Sequence, residues 1–118
     1  MTRLFLILLL ALPLRLMADA PQILDARAER SGMGWKISVT LTHPDTGWDH
    51  YADGWEVRDM AGNLLGMRDL AHPHGNDVPF TRSLSSVMIP DGTRKVLIRA
   101  RCNRDGWGDQ VYKLRLGR

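Results

Sequence analysis

Apolar and polar residues alternate in two stretches of this sequence, 34–42 and 94–102, and this period of two constrains the fold more than any other feature. The apolar positions are Trp35, Ile37, Val39 and Leu41 in the first stretch and Val96, Ile98, Ala100 and Cys102 in the second. Successive side chains of a β-strand point to opposite faces, so the pattern predicts strands with one face on a core and the other in solvent. No stretch after residue 20 has apolar residues at helical spacing.

Turn residues divide the rest of the chain into short segments of the same kind. The segments predicted to be further strands are 23–30, 55–60, 64–70, 80–89 and 111–116. With the two clear strands, they bring the count to about seven in a chain of this length. The prediction is therefore an all-β fold, an antiparallel β-sandwich of the immunoglobulin or fibronectin type.

The first residues of the chain have the pattern of a secretory signal peptide. Arg3 supplies the positive charge, residues 4–14 are almost wholly apolar, and Ala18-Asp19-Ala20 offers small residues for cleavage after Ala18 or Ala20. The alternative is an uncleaved anchor, but Arg15 interrupts the apolar run, which is also too short to cross a bilayer as a mature helix.

Residues 1–20 are accordingly predicted to be a signal peptide and residues 21–118 a single β-sandwich domain. A chain with such a signal is expected in the periplasm or outside the cell, with no stable membrane insertion after cleavage. Loss of Arg3, Arg15 and Asp19 with the signal lowers the formal net charge from +3 to +2. This near balance, without a long basic run, argues against a nucleic-acid partner.

Cys102 is the only cysteine, so the domain cannot form an internal disulfide and must be stabilised by packing. Its place on the apolar face of a predicted strand favours a buried, inert thiol. The alternatives are a copper ligand or a site of mixed-disulfide formation.

The segment around His72-Pro73-His74 is the candidate metal site. In an extended backbone, side chains two positions apart point the same way, and imidazole suits zinc or copper. In polyproline geometry the two rings would diverge, and the histidines would then only cap turns. The predicted ligands are His50, His72, His74, Asp49 and Asp53, with His43 as a further possibility. No cofactor is certain from the sequence; zinc or copper is the candidate ion.

Aromatic and basic residues in or near the connections are the candidates for a binding surface. The predicted binding residues are Trp48, Tyr51, Arg82 and Trp107. Asp49, Tyr51, Asp53 and Trp55 recur at a period of two, which fits either a polar and aromatic surface or a structured loop. Arg82 is expected to pair with Asp53 or Asp77. Residues 103–109 faintly resemble a calcium loop but lack its bidentate glutamate, and a hairpin turn explains them equally well.

Three runs of residues carry a resemblance to a family: 47–53 (GWDHYAD), 72–74 (HPH) and 79–84 (PFTRSL). They resemble a small uncharacterised family of exported bacterial proteins. The resemblance implies an exported β-domain and assigns no activity. The family pattern has acidic or amide residues just before the second proline, where this chain has Asp77 and the apolar Val78.

The chain contains no nucleophile elbow, no His-Glu-x-x-His and no phosphate-binding glycine loop, so we expect no enzymatic activity. The first hypothesis is a non-enzymatic, exported binding or interaction module whose partner is an unknown protein or small ligand of the periplasm. The alternative is a periplasmic zinc- or copper-binding protein with a histidine cluster at one end of the sandwich.

Overall fold

The computed structural model describes residues 20–117, so the predicted signal peptide lies, except for its last residue, outside the described part of the chain. The strands are β1 (Gln22–Ser31), β2 (Gly34–Thr42), β3 (Ala52–Arg58), β4 (Leu64–Asp69), β5 (Phe80–Val87), β6 (Lys95–Cys102), β7 (Gly106–Trp107) and β8 (Tyr112–Arg115). Within residues 20–117, no helix has the length and apolarity that crossing a bilayer requires.

The strands form two antiparallel sheets. One has the order β1-β2-β5; in the other, β4, β3 and β6 are neighbours and both β7 and β8 pair with β6. The predicted all-β sandwich is confirmed. The first, second and fifth strands share one sheet and the third and sixth share the other, as in immunoglobulin-type sandwiches, but β4 pairs with β3 rather than with β5. The structure has eight strands rather than the predicted seven or so, because two separate segments, β7 and β8, pair with β6.

The core lies between the sheets and is built by the two clearest sequence patterns. Ile37, Val39 and Leu41 of β2 and Val96 and Ile98 of β6 are fully buried. Each such aliphatic side chain contributes about 1.5–3 kcal/mol relative to an exposed one. The alternation read from the sequence is thus the alternation between core and solvent.

Strand β3 begins at Ala52, three residues before the predicted start. A β-bulge between Ala52 and Gly54 opposes β6, and both Ala52 and Trp55 are fully buried. The bulge inserts one residue and changes which face the following side chains occupy. The residues from Asp49 to Trp55 therefore do not share one face: Asp53 remains partly exposed, whereas Trp55 enters the core, which agrees with the structured-loop alternative.

The sandwich has two chemically different ends. The first, here called the histidine end, comprises loops 43–51, 70–79 and 103–105, which join the ends of β2, β4 and β6 to the strands that follow them. The second, here called the basic end, comprises loops 32–33, 59–63 and 88–94 together with the end of β8. Strands β2 and β6 both run from the basic end to the histidine end, so the residues that close these two strands meet there.

Candidate functional site

Two histidines and the cysteine come together at the histidine end. His43 follows β2, Cys102 is the last residue of β6, and His50 stands two residues before β3. All three are buried, and their ligand atoms lie within 4.8 Å of one another. Among residues 20–117 they form the one group of three or more His, Cys, Asp or Glu side chains that could share a metal ion. We call His43, His50 and Cys102 the buried triad.

The contacts around the sulfur have the spacing of a metal centre. Cys102 Sγ lies 3.6 Å from His50 Nε2. Asp105 Oδ2 lies 3.4 Å from that nitrogen and 3.7 Å from the sulfur. Ligand atoms around a tetrahedral zinc ion are about 3.3–3.8 Å apart, given bonds of about 2.0–2.3 Å. Asp105 therefore lies at ligand spacing from His50 and Cys102. The backbone N–H of Asp105 also donates to the sulfur over 3.2 Å.

Asp45 holds this end of the sandwich together from a fully buried side chain. One carboxylate oxygen accepts from His43 Nδ1 at 2.5 Å and from the backbone N–H of Ala52 at 3.0 Å. The other accepts from the backbone N–H of His74 at 2.8 Å and contacts His74 Nδ1 at 3.2 Å. Burial opposes ionisation, but these hydrogen bonds outweigh it and hold the pKa of Asp45 below its usual value.

The Asp45 contact also selects the tautomer of His43. With the proton on Nδ1, facing the carboxylate, the lone pair of the ring resides on Nε2. A histidine that donates one ring N–H to a carboxylate while its other nitrogen binds the ion is a recurrent arrangement in metalloproteins. The carboxylate thus orients a member of the buried triad without belonging to it.

His74 packs as part of the core rather than as a free ligand. Its ring stacks on Phe80 with centroids 3.6 Å apart and planes inclined by 6°. Burial lowers the pKa of His74 below its usual value, although the hydrogen bond and the charge of Asp45 act in the opposite direction. Arg82 and His72, the nearby basic groups, lower it further.

Because the folded state depresses the pKa of His74, we expect acid to destabilise the fold through this residue. The unfolded chain takes up the proton first, so the stabilising contribution is complete above the unfolded pKa of about 6.5 and declines as the pH falls below it. Urea denaturation at steps from pH 7.5 to 5.5 measures the decline. An His74→Asn variant keeps an N–H for Asp45 but cannot titrate, and should show a flatter pH profile. Equal profiles for both proteins would contradict the prediction.

The metal ligands predicted from the sequence do not form one site in the structure. His72 is exposed and its Nδ1–H donates to the carbonyl of Pro73. The rings of His72 and His74 lie 5.1 Å apart, but His74 Nδ1 faces Asp45. Asp49 is exposed, and Asp53 forms an ion pair of 3.2 Å with Arg101. The structure thus brings His50 together with His43 and Cys102, not with His72, Asp49 or Asp53, as potential co-ligands.

Trp48 and Tyr51 meet at the histidine end, with ring centroids 5.7 Å apart in an edge-to-face arrangement. Asn103 holds this pair: its side chain accepts from the backbone N–H of Tyr51 and donates to the carbonyl of Trp48, both over 2.9 Å. Trp48 is 68% exposed, so one predicted binding aromatic stands at the surface next to the buried triad.

The two other predicted binding residues, Arg82 and Trp107, take part in separate contacts between a guanidinium and an aromatic ring. The guanidinium of Arg82 stands over the Phe80 ring at 5.3 Å and donates to the carbonyl of Thr81. The expected pairing of Arg82 with Asp53 is replaced by the pair between Asp53 and Arg101. Trp107 lies on the outer face of its sheet, with Arg99 and Arg101 at 5.0 and 5.3 Å from its ring.

Sequence reasoning gave least weight to the residues that matter most here. His43 was only a further possibility, and Asp105 was part of a faint calcium loop. Cys102 was favoured as an inert thiol, with a copper ligand as one alternative, and Asp45 had no role. The available signal was positional, since His43 and Cys102 each close a strand whose alternating face points into the core. Side chains that continue such a face beyond the last strand residue are expected to lie under the end loops.

Comparison with known proteins adds one relative. A protein of Halomicrobium mukohataei described as "Putative lipoprotein" is 44% identical over 80 residues, which are 68% of this chain and 39% of the relative. The chain therefore spans about two fifths of that relative's length. No family model matches the chain, and no solved structure does. The likeness agrees at a coarse level with an exported protein.

Proposed function

We propose that this protein is a non-enzymatic, exported binding module whose ligand is a zinc or copper ion, held by His43, His50 and Cys102 with Asp105 as the fourth donor. The observation that carries the proposal is the buried triad, whose three potential ligand atoms lie within 4.8 Å of one another. Imidazole and thiolate are the donors that zinc and copper favour.

The surroundings of the triad support tight holding of an ion rather than catalysis. Cys102 is 1% exposed, so a substrate has no path to its sulfur. Structural metal sites are closed by four protein ligands, whereas catalytic sites keep one position for water or substrate. With Asp105 as the fourth donor the coordination sphere would be closed, in line with a protein that stores, senses or carries the ion.

The cellular location rests on two separate supports. The relative from Halomicrobium mukohataei is described as a lipoprotein, which favours an exported or membrane-anchored protein. Residues 1–20 have the pattern of a signal peptide. We infer a periplasmic or extracellular protein that meets its ion, and any protein that delivers or receives it, outside the cytoplasm.

Metal titration of untagged protein tests the proposal. After removal of bound metal by a chelator, the wild type is expected to bind about one zinc or copper ion per chain, and His43→Ala or His50→Ala should weaken binding by about 100-fold or more. Loaded with Co²⁺, the wild type should show a thiolate-to-metal charge-transfer band that Cys102→Ser lacks.

His72→Ala is the matched control, because His72 is an exposed histidine at the same end of the molecule. It should leave the affinity within about threefold of the wild-type value, less than the effect of removing even an outer-shell partner. If His72→Ala weakened binding as much as His43→Ala, the ligand set predicted from the sequence would replace the buried triad. Stoichiometric binding that survives Cys102→Ser and both buried-histidine variants would also refute the proposal.

A further inference from the structure

A cleft of about 830 Å³ opens at the basic end of the sandwich, away from the buried triad. It lies between the start of β2, the start of β6 and the end of β8. Its floor includes Trp35, and Thr93 offers a hydroxyl at its edge. The charged residues that line it are Arg30, Arg94, Lys95 and Arg115, and among residues 20–117 no carboxylate lines it.

This concentration of positive charge is not a consequence of the overall composition. The domain without its predicted signal is nearly neutral, at +2. Asp45, Asp49, Asp77 and Asp105 lie in the loops of the histidine end, whereas the loops of the basic end contain Asp59 and Asp91. Near the cleft, Asp91 contacts Arg30 at 3.9 Å with a fully exposed side chain, a geometry that neutralises little charge. The four cations that line the cleft outnumber these two carboxylates and give it a positive field.

The sheet places two of these cations directly opposite each other. Lys95 and Arg115 are cross-strand partners in the pairing of β6 with β8. Like charges at directly opposed positions destabilise a sheet. The backbone keeps the neighbouring positions together, since the N–H of Leu116 donates to the carbonyl of Arg94 over 2.8 Å. An anion between the two side chains would turn this repulsion into attraction.

The aromatic floor orients another cation of the cleft. The guanidinium of Arg30 stands over the Trp35 ring at 5.1 Å, and Trp35 itself is buried. A stacked guanidinium loses less freedom on binding and presents its planar row of N–H donors to a ligand, and this geometry matches phosphate oxygens.

From these observations we propose that the cleft is a binding site for a phosphate-bearing anion of several charges. Four cations, a hydroxyl and a volume within the range of ligand sites suit two or more phosphate groups rather than a single small ion. The source is either a soluble oligophosphate or the headgroups of an anionic lipid. The site is separate from the buried triad, so either proposal can fail without the other.

Calorimetric titration with inorganic tripolyphosphate tests the site at low and moderate salt. The variant Arg94→Gln with Lys95→Gln and Arg115→Gln should weaken binding about tenfold or more, since each lost cation removes charge-assisted hydrogen bonds. The control Arg27→Gln with Lys36→Gln and Arg104→Gln removes the same charge from exposed or half-buried positions outside the cleft. It should change the affinity less than about threefold, as expected for distant, screened charges.

Two kinds of vesicle distinguish the sources of phosphate. Binding to phosphatidylglycerol vesicles but not to phosphatidylcholine vesicles, lost in the cleft variant and kept in the control, would assign the site to lipid headgroups. Binding to tripolyphosphate without vesicle binding would assign it to a soluble anion. Absence of both, or equal weakening in the cleft and control variants, would overturn the proposal.

A single charge reversal supplies a readout that does not depend on the triple variant. Lys95→Glu creates an opposite-charge pair with Arg115, so its melting temperature without ligand should equal or exceed that of the wild type. Tripolyphosphate should raise the melting temperature of the wild type but not of Lys95→Glu, because a ligand stabilises only a protein that binds it. The same rise in both proteins would contradict a site between these two residues.

Discussion

An Asp45→Ala variant is expected to lose about 3–5 kcal/mol of its free energy of unfolding, because it strands several buried donors at once. The carboxylate accepts from the backbone N–H groups of Ala52 and His74 and from the ring nitrogen of His43, and it also contacts the ring of His74. A domain of this size has a total stability of about 5–15 kcal/mol, so the variant should be close to unfolding. Urea denaturation followed by tryptophan fluorescence at pH 7.5 measures the loss.

Two companion variants make the result interpretable. Asp49→Ala removes an exposed carboxylate from the same loop and should change the stability by less than about 0.5 kcal/mol. Asp45→Asn retains an acceptor oxygen and should lie between the wild type and Asp45→Ala. In the folded fraction of Asp45→Asn, the side chain at position 45 no longer holds the His43 ring as firmly. The affinity of this variant for zinc or copper should therefore fall about 10–100-fold. If Asp45→Ala were as stable as the wild type, Asp45 would not be the residue that holds the histidine end together.

Trp55→Ala is the second variant with a large expected effect, a loss of about 3–5 kcal/mol. Trp55 is fully buried at the centre of β3, opposite Arg68 of β4 and Ala100 of β6. Removing its indole leaves a cavity between the sheets that the surrounding strands cannot fill without losing their pairing. Denaturant unfolding of the purified variant, compared with the wild type, measures the cost.

The indole nitrogen of Trp55 provides a sharper comparison within the same site. Within residues 20–117 it is one of the buried polar atoms without a hydrogen-bond partner. Trp55→Phe removes that unsatisfied group while keeping most of the ring volume, and should therefore cost less than about 1.5 kcal/mol. Trp48→Ala, at an exposed tryptophan, should cost little. If Trp55→Phe were as damaging as Trp55→Ala, the indole nitrogen would have a stabilising partner.

In the two proposals, the two ends of the sandwich bind ions of opposite charge. The histidine end combines acidic loops with a buried set of soft donors, which suits a cation. The basic end combines four cations with an aromatic floor, which suits an anion. Among the described residues, no buried charged side chain in the core links the two sites. Glu56, which is buried on the outer face of its sheet, is paired with Arg58 and Arg99. We expect binding at one end to leave the affinity at the other unchanged.

Much of the architecture follows from local patterning. The alternation in β2 and β6 predicted their bounds to within one residue and the burial of Ile37, Val39, Val96 and Ile98, since a period of two has only one way to cover a core. The start of β3 was missed because Asp53 and Gly54 resemble a loop. A bulge, which depends on the partner strand, accommodates both within the sheet.

The candidate site could be foreseen only in its residue types. The sequence identified histidines, aspartates and one cysteine near the ends of strands, and it favoured the pair His72 and His74 because they are close along the chain. The structure groups His50 with His43 and Cys102 instead, because β2 and β6 both end beneath the loop that carries His50. His74 is directed to Asp45, a residue twenty-nine positions away.

The sequence alone determined that the chain forms strands, which side of the clearest strands faces the core, and that no internal disulfide contributes. These properties depend on a repeat of two residues and on composition, both of which are local. The tertiary structure alone decided that Asp45 joins His43 to His74, that Cys102 and Asp105 approach His50, and that Lys95 faces Arg115. Such contacts depend on strand pairing and on which loops share an end of the sandwich, and no short window of residues contains that information.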